Sequence, residues 1–125
     1  MAALSYTRQA AGWARRLLVL SPDYADAYLA TGMSEYVVGS LPAPARWLLH
    51  IGGYTGDKTT GIQQLRLTAA RGRLFGPLAR ILLAIAYVRD HDTAHARELL
   101  VALAHDFPSN PLFAREALRL GRGGD

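Results

Sequence analysis

Several common features are absent from this sequence of 125 residues. It has no cysteine, which excludes disulfides, cysteine nucleophiles and thiolate metal sites, while the compartment stays open because export does not require disulfides. Its longest apolar run, Leu78 to Val88, is interrupted by Arg80 and is too short to span a bilayer. Residues 1–4 lack the basic region and apolar run of a signal peptide. We therefore expect no membrane span, and the localisation stays unknown.

Lysine is nearly absent as well. Lys58 is the one lysine among 14 basic residues, and the formal net charge is +4. The arginines are spread along the chain and form no single run, so the charge does not favour nucleic-acid binding. With the many alanines and leucines, they are typical of a GC-rich bacterial genome. Because hydrophobic residues make up 50% and charged residues 19%, the chain can form a core.

Apolar residues recur at intervals of three and four along nearly the whole chain, which is the spacing of one helix face. No segment shows the sustained alternation of a strand. The sequence therefore predicts an all-α fold of six to seven helices, arranged as antiparallel hairpins because the connections are short. The predicted helices cover 6–20, 24–38, a short segment within 39–56, 57–71, 76–89, 93–107 and 111–120, followed by a frayed tail at 121–125.

Helix ends and faces can also be predicted locally. Aspartate before a helix accepts a hydrogen bond from the first turn, so Asp23, Asp57 and Asp92 are candidate caps, with Thr59 an alternative to Asp57. In the first helix, Ala10, Trp13, Leu17 and Leu20 recur at steps of three or four and therefore share one face.

The segment Pro77 to Asn110 has 34 residues, the length of a helix-turn-helix repeat. Small residues in such a unit let two helices approach, large apolar residues fill the gap, and proline ends the unit. The characteristic positions are occupied by Ala84, Tyr87, Ala96, Leu100 and Pro108. Ala84 and Ala96 are expected at the narrow point of the pair, and Leu100 as the buried large residue.

A second, weaker copy begins at Ala25, with Tyr28 and Gly32 four residues apart. Upstream, Ala10 precedes Pro22 by 12 residues, the same interval as from Ala96 to Pro108. On these residues the chain resembles the tetratricopeptide repeat family, over nearly its whole length and as a divergent bacterial branch.

The resemblance implies a single domain over 1–125 made of repeats. It contains a partial repeat at 6–22, a long repeat at 25–76 with an inserted helix at 39–56, a repeat at 77–110 and a terminal helix at 111–120. The long repeat departs from the family because of the insertion and because Gly61 stands where alanine is usual. The partial repeat is consistent with a fragment of a longer array.

The resemblance also implies a function, because the first helix of each repeat lines a concave face that holds a peptide or partner helix. Carried over, this face consists of Asp26, Leu29, Met33, Tyr36, Val37, Leu78, Ile81, Ile85, Val88 and Arg89. Such an apolar lining needs a cover. We expect the inserted helix, through Trp47, Leu48 and Ile51, to be an internal lid, with another polypeptide as the alternative. A lid would move the partner surface elsewhere, for example to Arg46, Arg66, Arg71 and Arg73.

The predicted function is a protein or peptide interaction module, with no catalytic residue, metal or cofactor. The alternative is a structural or self-assembling repeat fragment, since open stack ends favour a homo-oligomer. A small metal-dependent hydrolase using His91 and His95 is a third possibility, although it needs another ligand. The segment from Gly52 to Thr60 lacks the glycine-lysine-threonine order of a phosphate loop, so nucleotide binding is not expected. Glu35 is a candidate buried hydrogen-bonding residue.

Overall fold

The computed structural model describes residues 2–123, and over that range it contains seven α-helices and no strand. The all-α class predicted from the sequence is therefore confirmed. A 3-10 turn at Ala25–Ala27 directly precedes α2. The helices are α1 at Ala2–Leu20, α2 at Tyr28–Gly39, α3 at Ala43–Ile51, α4 at Lys58–Arg71, α5 at Gly76–Arg89, α6 at Thr93–Asp106 and α7 at Pro111–Arg122.

Most helix ends follow from local side-chain chemistry. Asp57 and Asp92 cap α4 and α6 as predicted, because their carboxylates accept N–H bonds from the first turns, and Asn110 caps α7 in the same way. The prediction for Asp23 is wrong. The 3-10 turn separates it from α2, whose first turn has no side-chain cap. The last two residues of the predicted frayed tail, 124 and 125, lie outside the described residues.

The chain divides into two compact units, residues 1–76 and 77–125. In unit 1, the buried residues of α1 are Ala11 and Ala14, and this helix contacts α2. The apolar face that the spacing identifies is not the buried one, because Trp13 is exposed, as are Ala10, Leu17 and Leu20. Small residues allow the two helix backbones to come close, so the alanine face of α1 packs and its bulky face remains in solvent.

The closest helix pair of unit 1 is α2 with α4, and glycines make the approach possible. A Cβ atom built on Gly61 would lie 2.5 Å from the backbone nitrogen of Tyr36 and 2.8 Å from the carbonyl oxygen of Gly32. No larger residue fits at this crossing without moving a backbone. This close approach explains why glycine stands at position 61.

Unit 2 begins where the predicted 34-residue unit begins, at Pro77. Its helices α5 and α6 form an antiparallel hairpin with a contact near each end. The rings of Tyr87 and His95 stack with centroids 5.2 Å apart, and Arg80 donates to the carboxylate of Asp106 at 2.7 Å. The helices are thus held at both ends of the hairpin.

Small and aromatic residues complete the interior of unit 2. Ala84 and Ala96, the pair expected at the narrow point, are both buried, and Leu103 on α6 is fully buried. Helix α7 packs against α6, and the ring of Phe113 lies 6.3 Å from that of Phe107 across the intervening turn. Across residues 2–123, no helix has the length and apolar character needed to cross a membrane.

Candidate functional site

The unit 1 half of the predicted concave face does not form an open surface. Asp26 and Tyr36 are buried, at 6% and 5% exposure, so neither can contact a partner as predicted. Leu29, Met33 and Val37 are half-buried. Val37 borders a depression of only about 50 Å³, too small for a peptide segment.

Asp26 has a structural role that explains its burial. Its carboxylate accepts backbone N–H bonds from Arg73, Leu74 and Phe75, at 2.9 to 3.2 Å. Burial by itself raises the pKa of this carboxyl group, but the N–H bonds and the charge of Arg73 outweigh it and hold the pKa below its ordinary value. Nearby, the hydroxyl of Thr68 donates to the carbonyl of Ala25 at 2.8 Å. These bonds fasten the end of α4 to the start of α2.

Helix α3 is not a lid, and that prediction is wrong. Trp47 is 65% exposed, Leu48 and Ile51 are exposed to a similar degree, and α3 has no buried residue. The glycines that flank the insertion bring its two ends together. A Cβ atom on Gly56 would collide with the side chain of Val38, and one on Gly39 with the backbone of Lys58. The insertion is therefore closed at its neck, with its apolar side chains exposed.

Unit 2 does contain a groove, between α5 and α7. Its volume is about 310 Å³, at the lower end of the range for ligand sites. Its lining is predominantly apolar, with Leu100 of α6 also contributing. The lining residues are Ile81, Ala84, Ile85, Val88 and Arg89 of α5, Leu100 of α6, and Leu112, Phe113, Glu116, Arg119 and Leu120 of α7.

The structure thus brings four predicted residues together on one groove wall: Ile81, Ile85, Val88 and Arg89. Ile85 is 53% exposed, and Val88 and Leu112 are also exposed, so the groove is open to solvent along its length. Leu78 belongs to the predicted face and is exposed, but it does not line the groove.

Sequence reasoning missed the opposite wall because it treated α7 as a terminal helix. Leu112, Phe113 and Leu120 of α7 complete the groove. The sequence of α7 nevertheless contains a pattern that predicts this wall. Asn110-Pro111 starts a helix, and the apolar residues that follow recur on one face, as in the first helix of a further repeat.

Of the two arginines that line the groove, one forms an ion pair and, in the described part of the chain, the other does not. Arg119 donates from Nε to the carboxylate of Glu116 at 2.7 Å, one helical turn away. Arg89 is exposed and makes no ion pair within residues 2–123. An apolar channel with an unpaired guanidinium at its rim is suited to an apolar segment that carries a carboxylate beside it.

The remaining titratable candidates are structural. Glu35 accepts from the backbone N–H of Asp57 at 2.8 Å, and its other oxygen lies 3.8 Å from Arg15, so it links α2 to the start of α4 and to α1. His95 is bonded through Nδ1 to Asp92 at 2.7 Å, while His91 lies in the preceding turn with φ of 61°.

The metal-dependent alternative needs a third ligand beside this histidine pair. Within residues 2–123, no group of three or more His, Cys, Asp or Glu residues comes together in a way that could hold a metal ion.

Comparisons of the chain with models of protein families, with curated proteins and with solved structures find no match.

Proposed function

We propose that this protein is an interaction module of the tetratricopeptide-like type, which binds an apolar segment of another protein in the groove between α5 and α7. The supporting observation is the groove itself, which combines a wall of predicted face residues, Ile81, Ile85 and Val88, with the apolar face of α7. Large apolar side chains that remain in solvent each forgo about 1.5 to 3 kcal/mol of burial, so a partner that covers them gains affinity.

The shape of the groove favours a helix or an extended peptide. Side chains from α5 and from α7 line the groove, together with Leu100 of α6. Such a channel accepts apolar anchors that recur along one face of a peptide. Arg89 at the rim adds a preference for an acidic residue next to those anchors.

A combinatorial peptide library selected on the whole protein tests this proposal. We expect selected peptides to share spaced apolar anchors, and a labelled peptide to bind the Ile85→Glu variant at least about tenfold more weakly, measured by fluorescence anisotropy, because a carboxylate then occupies the apolar wall. The matched control is Val101→Glu on α6, at a residue of similar exposure, 50% against 53%, outside the groove.

The control variant should bind like the unchanged protein, and circular dichroism should show that both variants are folded. Peptides without a common apolar pattern, or equal losses in the two variants, would contradict the proposal.

Self-assembly is the second candidate function, and the bulky face of α1 favours it. Tyr6, Trp13, Leu17 and Leu20 follow one face of the helix, and all four are exposed. An apolar stripe of this length is typical of an association surface. Measurement of mass in solution against protein concentration tests it. A mass that rises with concentration, and no longer does so in a Leu17→Glu variant, supports assembly, whereas a constant monomer mass excludes it over the measured range.

A further inference from the structure

We propose that α3 is a membrane-surface anchor, which inserts its apolar face into the interface of a lipid bilayer with anionic headgroups. The proposal concerns unit 1 and is independent of the groove in unit 2. Trp47, Leu48 and Ile51 lie within two turns on one side of this nine-residue helix. Each is about two-thirds exposed, although together they are the most apolar part of the helix.

The way in which α3 is held favours insertion. It has no buried residue, and the glycines at the neck of the insertion fix both of its ends beside the α2 and α4 pair. Its exposed apolar face borders an open depression of about 550 Å³, whose lining includes Arg46, Trp47 and His50. A bilayer interface accepts an exposed amphipathic helix of this kind, with tryptophan at the level of the headgroups.

The charges around α3 are complementary to anionic headgroups. Neither α3 nor α1 contains an aspartate or glutamate. Arg46 lies on α3 itself, and the guanidinium of Arg8 is stacked over the ring of Tyr54, in the loop that follows α3, at 5.0 Å. Long cationic side chains beside an inserted apolar face contact headgroups and strengthen binding to anionic lipid.

The nearby carboxylates offset only part of this charge. Asp26 is buried under backbone N–H groups, Asp57 caps α4, and Glu35 is bonded to a backbone N–H with Arg15 close by. Arg8, Arg15 and Arg46 outnumber Glu35 and Asp57 around α3, so the balance of these charges is positive. The same charge disfavours pairing of this surface with a second copy of itself, since the arginines would meet arginines.

Tryptophan fluorescence with vesicles tests the proposal. In a Trp13→Phe variant, Trp47 is the sole tryptophan of the chain. We expect its emission to shift to the blue with vesicles that contain phosphatidylglycerol and not with vesicles of phosphatidylcholine alone. Added salt should reduce the shift, because it screens the headgroup charge. In co-sedimentation, Leu48→Glu should lower the partition onto phosphatidylglycerol vesicles at least about tenfold.

The matched control is Val101→Glu, the same change at an exposed apolar residue of unit 2, which should partition like the unchanged protein. An unshifted Trp47, an equal shift with both vesicle types, or unchanged partition of Leu48→Glu would overturn the proposal. A shift that appears without vesicles as the protein is concentrated, and that Leu48→Glu removes, would assign the face to a second copy. A shift with an acidic amphipathic peptide and none with vesicles would assign the apolar face of α3 to a protein partner. Either of these two results overturns the lipid proposal.

Discussion

The carboxylate of Asp26 accepts the backbone N–H of Phe75 at 2.9 Å, across 49 residues of sequence. Arg73 and Leu74 donate to the same carboxylate. The segment after α4 therefore turns around one charged side chain at the start of α2. The resemblance places Asp26 on a partner surface, whereas in the structure its carboxylate is buried and accepts these backbone N–H groups.

Replacement of this carboxylate should destabilise unit 1. In Asp26→Asn, an amide N–H₂ takes the place of one acceptor oxygen and faces backbone donors, so at least one N–H loses its partner. We expect the free energy of unfolding to fall by about 1.5 to 3 kcal/mol, measured by urea denaturation at neutral pH. Asp23→Asn is the control. That residue is exposed and caps no helix, so its loss should stay within about 0.5 kcal/mol.

The hydrogen bonds to Asp26 also predict that the free energy of unfolding depends on pH. The pKa of Asp26 is lower in the folded protein than its ordinary value of 3.8, so the unfolded chain binds the proton more readily. The stability from this charge is therefore present above the unfolded pKa and is lost as pH falls through the lower folded pKa. We expect the stability difference between the unchanged protein and Asp26→Asn to be constant near neutrality and to shrink below about pH 4. A difference that grows on acidification would contradict this assignment.

Replacement by alanine should have opposite effects on stability at two helical glycines, Gly61 at the crossing of α2 and α4 and Gly12 on α1. Gly61→Ala should cost about 1 to 3 kcal/mol, because the new methyl group meets the backbone of Tyr36 at 2.5 Å. At Gly12 in α1, an added Cβ would meet no atom within 4 Å apart from its own local helix backbone, so Gly12→Ala should stabilise by about 0.5 to 1 kcal/mol, as alanine is the better helix former. Thermal unfolding of both variants measures the contrast, and stabilisation by Gly61→Ala would show that the helices are further apart.

Two leucines of α6 test the core of unit 2. Leu103 is fully buried, so Leu103→Ala should cost about 2 to 5 kcal/mol through lost burial and the cavity left behind. Leu100, which the sequence predicts as the buried repeat residue, is half-buried on the groove wall, and Leu100→Ala should cost clearly less. Urea denaturation of the two variants compares them, and a larger loss at Leu100 would restore the register predicted from the sequence.

The helices could be predicted because their signals are local. Periodic apolar residues, together with caps such as Asp57 and Asp92, depend on neighbours within one or two turns. The face of α1 could not be predicted in the same way. Spacing identifies an apolar stripe that includes Trp13, whereas the residues of α1 that are buried in the structure are the smaller Ala11 and Ala14.

The site could be predicted in part for a similar reason. Ile81, Ile85 and Val88, which line the groove, recur at steps of three and four along α5, and this spacing is a short-range pattern. The role of Asp26 depends on N–H groups 47 to 49 residues away, and the exposure of α3 depends on how Gly39 and Gly56 close the insertion. Such long-range contacts leave no periodic trace in a single sequence.

The proposed peptide groove leads to a last prediction, at Arg89. This guanidinium is exposed at the rim, so its pairing with a carboxylate of a bound peptide is screened by solvent and contributes only about 0.2 to 1 kcal/mol. Arg89→Ala should therefore weaken an acidic selected peptide by a small factor, much less than Ile85→Glu. The loss should appear mainly in the association rate and disappear at high salt.

Arg115→Ala on α7, an exposed arginine outside the groove, is the control and should leave both rates unchanged. Stopped-flow or surface-binding kinetics at two salt concentrations separate the two rate constants. A large loss at Arg89 that persists in high salt would mean that the guanidinium is desolvated by the partner. In that case the peptide covers the rim as well as the channel, and binding depends on a buried charge pair more than on the apolar walls.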